Sequence, residues 1–84
     1  MDGTLKAETL MREMTKVFNL DEKELSADKR FKEDLVASSS QKFMLLAALE
    51  ELTGQNIIYA QVNRCKTIGD ILDLLGELEQ ANAD

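Results

Sequence analysis

The sequence predicts an all-α fold, a small bundle of three main helices plus one short helix. Three observations predict it. Apolar side chains recur at helical spacing in two separate stretches, at Leu10, Met14, Val17 and Phe18 and again at Ile68, Ile71, Leu72, Leu75 and Leu78. Between them lies the stretch Asp34 to Leu52, where three consecutive serines are followed, two residues on, by seven consecutive apolar residues, Phe43 to Leu49. Two capping signatures, Ser38 with Gln41 and Thr67 with Asp70, mark helix starts ahead of apolar runs. A bundle is the packing that buries all of these faces together.

The first helix is read over Thr4 to Phe18, with Leu5 and Met11 flanking the stripe and Lys6, Glu8, Arg12, Glu13 and Lys16 on the other face. Asp2 or Thr4 is placed to cap it. Asn19 to Glu33 is a long connection that needs anchors. Leu20, Leu25 and Phe31 supply them, and Asp21 with Glu24 at capping spacing predicts a short helical turn. The central helix is expected from about Ser39 to Thr53, with Gly54 as its stop. Its apolar run covers about two turns, so apolar side chains emerge all round the helix and exceed what so small a core can bury. Gln55 to Ile58 reads as extended or turning, and Tyr59 to Arg64 as a short helical piece anchored by Val62. The last helix opens at Thr67, carries Gly69 and Gly76 at a cost of about 1 kcal/mol each, and frays over residues 79 to 84.

Composition narrows the function. The 84 residues make a single domain, 1–84, whose 44% hydrophobic content is enough for a core. No apolar run is long enough to span a membrane and no signal peptide is seen, so a cytoplasmic monomer is expected. The lone Cys65 excludes an internal disulfide and fits a reducing compartment. Ten basic against sixteen acidic residues give a net charge of −6, which disfavours nucleic acid and points to basic protein surfaces as partners. The chain has no histidine, the commonest general base and metal ligand. The run Asp21 to Glu24 lacks the spacing of a calcium loop, so no metal site and no independent catalysis are expected.

At the central stretch the residues resemble a family. Glu33-Asp-Leu-Val-Ala-Ser-Ser-Ser40, continuing to Ala48-Leu-Glu-Glu51, is similar to the modification region of acyl carrier proteins, which reads Glu-Asp-Leu-Gly-x-Asp-Ser-Leu before a helix ending in Leu-Glu-Glu. Phe31 stands where that family has a phenylalanine, and Tyr59 to Leu75 resembles its third and fourth helices, with Cys65-Lys-Thr-Ile-Gly-Asp70 similar to the opening of the last one. The resemblance covers nearly the whole chain without a gap and implies an acyl-carrier-like bundle. It also implies that Ser39 is esterified by a 4'-phosphopantetheine arm from coenzyme A, whose thiol carries acyl groups as thioesters between enzymes. The carrier would then bind and present a group without catalysing a reaction. Phosphopantetheinyl transferase and acyl-transferring or condensing enzymes with basic docking surfaces are the implied partners. An acyl chain tucked into the bundle would give the surplus apolar surface of the central helix a use.

The sequence departs from the family pattern around that serine. Ser38 replaces the preceding aspartate, Ser40 the following leucine, and Gln41 and Met44 stand where acidic recognition residues are usual, while Glu50 and Glu51 keep the acidic far end. Ser40, Gln41, Met44, Glu50 and Glu51 are therefore the expected partner-recognition residues of a specialised carrier in fatty acid, lipid or polyketide chemistry. Cys65 falls at an apolar, inward position of the family and is read as a small core hydrophobe. The alternative is a carrier-like bundle that is never modified and acts as a helical protein-interaction module, its serines only capping a helix.

Overall fold

The computed structural model describes residues 3 to 81, and within them the order is α1 (Gly3–Phe18), a 3-10 turn (Glu22–Glu24), α2 (Ser39–Thr53), α3 (Tyr59–Asn63) and α4 (Ile68–Ala81). The fold is the expected small all-α bundle, with three main helices and one short one. α1 packs on α2 and α4, and α3 packs on α2.

The expected stripes form the core. Leu10, Met14 and Phe18 from α1 meet Leu45 and Leu49 from α2, Val62 from α3, and Ile68, Ile71, Leu75 and Leu78 from α4. Leu25 and Phe31 of the long connection are buried against the same cluster, and the Phe31 ring lies 6.0 Å from that of Phe18. Burying side chains of this size contributes about 1.5–3 kcal/mol each, which is what holds a connection with so little regular structure in place.

The helix ends are closed as the sequence predicts. Ser38 Oγ accepts from Gln41 N at 3.1 Å while Ser38 N donates to Gln41 Oε1 at 2.8 Å. At α4, Thr67 Oγ1 accepts from Asp70 N and Asp70 Oδ2 accepts from Thr67 N, both at 3.2 Å. Gly54 stops α2 in the left-handed conformation, φ 69°, its N–H donating to Glu50 O at 2.8 Å. α1 takes in one residue more than expected and runs from Gly3, which puts Thr4 inside the helix; Asp2 lies outside the described residues. α4 also continues further than the frayed end that was expected, to Ala81, and residues 82 to 84 lie outside the described residues. The Lys6 Nζ–Glu79 Oε1 pair at 2.7 Å joins this last turn to α1.

The long connection is stitched to the start of α4 by backbone alone. Gly69 N donates to Ala27 O at 2.8 Å, Ile68 N to Lys29 O at 3.0 Å and Phe31 N to Lys66 O at 2.9 Å. Two first-turn N–H groups of α4, which no helix can satisfy internally, are thereby partnered. Gly69 suits this close approach: a Cβ there would stand a tight 3.1 Å from Ala27 O, whereas one at Gly76 would meet nothing within 4 Å. Gly76→Ala should therefore raise stability by about 1 kcal/mol, or about 4–8 °C in Tm, while Gly69→Ala should lower it despite the same gain in helix propensity. Thermal unfolding of the two variants, followed by circular dichroism, checks the contrast.

Candidate functional site

The serines stand where three devices converge. The first is the turn before them. Asp34 Oδ2 accepts from Arg30 N at 2.8 Å and from Arg30 Nε at 3.2 Å, and the guanidinium holds the Asp34 carboxyl below its usual range. Asp34 N and Leu35 N both donate to Arg30 O at 3.0 Å, and Ala37 N donates to Phe31 O at 2.8 Å, so residues 30 to 37 form a closed loop that delivers the chain to α2. The Glu-Asp-Leu residues of the motif thus act through this turn.

The second device is the cap itself. Gln41 uses both ends of its amide. Besides accepting from Ser38 N, it donates from Nε2 to Val17 O at 3.2 Å, which satisfies a terminal carbonyl of α1 and fixes the start of α2 against the end of that helix. The cap occupies Ser38. Ser39 and Ser40, on the first turn, are exposed, and among the described residues neither their hydroxyls nor their backbone N–H groups have a hydrogen-bond partner. An exposed hydroxyl beside two open N–H groups at the positive end of a 15-residue helix is a place that tolerates a phosphate ester.

The third device is α3. Lys42 Nζ donates to Asn63 Oδ1 at 3.0 Å, and the rings of Phe43 and Tyr59 stack at 4.4 Å, so α3 is held to α2 one turn beyond the serines. The surplus apolar surface expected of α2 is real and faces outward. Phe43 and Met44 are 54% and 55% exposed, and Ile58 beside the stack is 64% exposed, while Leu45 and Leu49 fill the core.

The five expected recognition residues divide into two groups. Ser40, Met44 and Glu51 are exposed along α2. Gln41 is taken up by the cap, and Glu50 accepts from Ile57 N through Oε2 at 2.9 Å, tying the connection after α2 back onto the helix. Those two side chains serve the fold.

Two features here were not anticipated. Val36 has φ 49° and is 75% exposed. A β-branched residue in the left-handed region costs about 1–2 kcal/mol, and burial returns little of it here. It stands at the glycine of the Glu-Asp-Leu-Gly pattern that this stretch resembles, and the sequence reading did not single it out. The second feature is a groove of about 530 Å³ beside the serines, between the 30–37 loop and the α3–α4 junction. Its lining brings together Arg30, Lys32, Lys42 and Lys66 with a single carboxylate, Glu33, and also includes the apolar Phe31, Val36, Ala37 and Cys65. Residues from separate stretches of a chain with net charge −6 make this basic concavity, so no run of sequence announces it.

Cys65 is half-buried in that lining, as its apolar reading anticipated. Burial first, then the negative charges of Asp70 and Glu77, push its thiol up to about 11, against an opposing effect of Arg64. It is therefore protonated at neutral pH and a poor nucleophile. Among the described residues no group of His, Cys, Asp and Glu is arranged to hold a metal ion, and no helix is long and apolar enough to cross a membrane. No protein-family model matches the chain, and no curated protein is significantly similar to it in sequence.

Two outcomes are expected. Val36→Gly should relieve the left-handed strain and raise the urea midpoint, with a net gain of about 0.5–1 kcal/mol after glycine's added unfolded-state entropy. Cys65 should react with iodoacetamide about a hundredfold more slowly in the folded protein at neutral pH than in urea, with the rate climbing as pH approaches 11; mass spectrometry of timed samples reads both rates.

Proposed function

We propose that this chain is an acyl carrier protein whose Ser39 bears a 4'-phosphopantetheine arm, serving a specialised fatty acid, lipid or polyketide pathway. The observation that carries the proposal is the division of labour in the triple serine. Ser38 is consumed by the cap, whereas Ser39 presents an unpartnered hydroxyl on the first turn of α2 beside the open N–H groups of Ser39 and Ser40. Such a turn fits the phosphodiester that the arm would form there. Lys42 lies three residues on, so it shares a helix face with Ser39 and supplies a nearby countercharge.

In the modification step Ser39 Oγ attacks the pantetheine-bearing phosphorus of coenzyme A. The new O–P bond replaces the P–O bond to the adenosine 3',5'-bisphosphate leaving group, and the hydroxyl proton passes to a base of the transferase. When bound, the arm supplies a thiol for thioester chemistry. The chain's own residues anchor and orient it and perform no reaction themselves. Cys65, in the groove beside the site, fits this role because a protonated thiol does not attack a nearby thioester.

Phosphopantetheinyl transferase and acyl-transferring or condensing enzymes are the partners on this reading, in a cytoplasmic monomer. Ser40, Met44 and Glu51 are the exposed contacts on α2, with Glu51 facing a basic docking surface and Met44 an apolar one. The competing reading is an unmodified interaction module, favoured by the outward apolar surface of Phe43, Met44 and Ile58. Intact mass decides between them. Incubation with coenzyme A and a broad-specificity phosphopantetheinyl transferase should add one arm to the wild-type chain and none to Ser39→Ala, while Ser40→Ala should still be loaded. No gain with several transferases overturns the carrier reading in favour of the module.

A further inference from the structure

The groove beside Ser39 has a chemistry that the carrier role alone does not require. Four cations line it, and they are not equally engaged. Arg30 is paired with Asp34 at 3.2 Å and Glu33 at 3.7 Å, and Lys42 donates to Asn63 at 3.0 Å. Lys32 and Lys66 are exposed and, among the described residues, have no ion-pair partner. The same lining holds the apolar Val36 and the half-buried Cys65, together with the polar Asn63 and Thr67. The groove therefore offers apolar surface together with two uncommitted ammonium groups, on a protein whose net charge is −6. Its edge at Ala37 and Lys42 brackets the serines, within reach of a group tethered to Ser39.

Resting on the carrier reading, we infer that this groove receives a carried acyl group that ends in a carboxylate, with Lys32 and Lys66 as its specificity-determining residues. The argument is one of charge complementarity. The short aliphatic part of an ω-carboxyacyl group matches the Val36 and Cys65 surface, and its carboxylate matches the two lysines. An unsubstituted alkyl chain would desolvate these ammonium groups without compensating them. Each exposed ion contact is worth about 1 kcal/mol or less, too little to hold a free carboxylate. A tethered one is present at an effective concentration in the millimolar range, where contacts of this strength decide whether the groove is filled. The strain kept at Val36 fits the same picture, because a glycine there would remove part of the apolar lining.

The test loads the full chain with either glutaryl-coenzyme A or pentanoyl-coenzyme A, its counterpart without the carboxylate, using a broad-specificity phosphopantetheinyl transferase. Intact mass verifies each product, and amide chemical shifts locate the cargo. Glutaryl-loaded protein should show shifts at residues 30 to 37 and 63 to 67 that pentanoyl-loaded protein lacks. These should weaken on going from about 0.05 to 0.5 M salt. Lys32→Gln with Lys66→Gln should lower groove occupancy about tenfold, and the salt series tests the same contacts in the wild-type chain, whatever the variant's folding. Equal shifts from both cargoes, or no shifts from either, overturn the inference while leaving the carrier reading standing. Absence of any mass gain overturns the carrier reading, and this inference falls with it.

Discussion

The structure depends on the backbone pairing between residues 27 to 31 and the start of α4. Ala27 O and Lys29 O take the first N–H groups of α4, and Lys66 O takes the N–H of Phe31. The pairing settles two problems together. It satisfies polar groups that a helix leaves open, and it fixes a connection of about twenty residues that would otherwise be held only by its buried side chains. Phe31 is then held against Phe18, and the 30–37 loop closes on itself through Arg30, Asp34 and Ala37. The direction in which Ser38 and Ser39 enter α2 follows from that closure. The candidate site is thus positioned from the far end of the chain as well as from its own helix.

Much of this fold was legible in the sequence. α2 has the bounds read from Ser38, Gln41 and Gly54, and α4 opens at the Thr67–Asp70 box, because a cap is a local arrangement between residues three apart. The stripes read from Leu10, Met14, Ile68, Ile71 and Leu75 are buried, since helical spacing dictates the face. The stitching of residues 27 to 31 to α4 was not legible. Backbone-to-backbone bonds between distant segments leave no side-chain pattern, and Gly69, read only as a weak point in a helix, was the one trace of it. The site was half legible for the same reason. The serines are contiguous, but the roles of Gln41 and Glu50 turned on what lies across from them: Val17 O in one case and Ile57 N in the other.

Net charge and local charge have separate consequences in this molecule. A net charge of −6 describes its long-range field and the company it keeps in solution. The groove beside Ser39 has the opposite sign, and over a Debye length of about 8 Å at physiological salt the local sign is what a group within the groove would experience. Approaching proteins and a small group lying in the groove would therefore meet different charges. α2 presents Glu51 outward, while Lys32, Lys42 and Lys66 line the concavity.

The attachment of α3 bears on how this fold moves. Its five residues hold to the bundle through one fully buried side chain, Val62, together with the Phe43–Tyr59 stack and the Lys42–Asn63 bond. Burial of Val62 contributes about 1.5–3 kcal/mol and the stack and the hydrogen bond about 0.5–1.5 kcal/mol each, against a global stability of about 5–15 kcal/mol for a domain. With a single buried side chain, α3 is the least anchored of the four helices and the one expected to open first. Opening there would uncover the side of α2 on which it packs, giving the core of this small protein a side entrance.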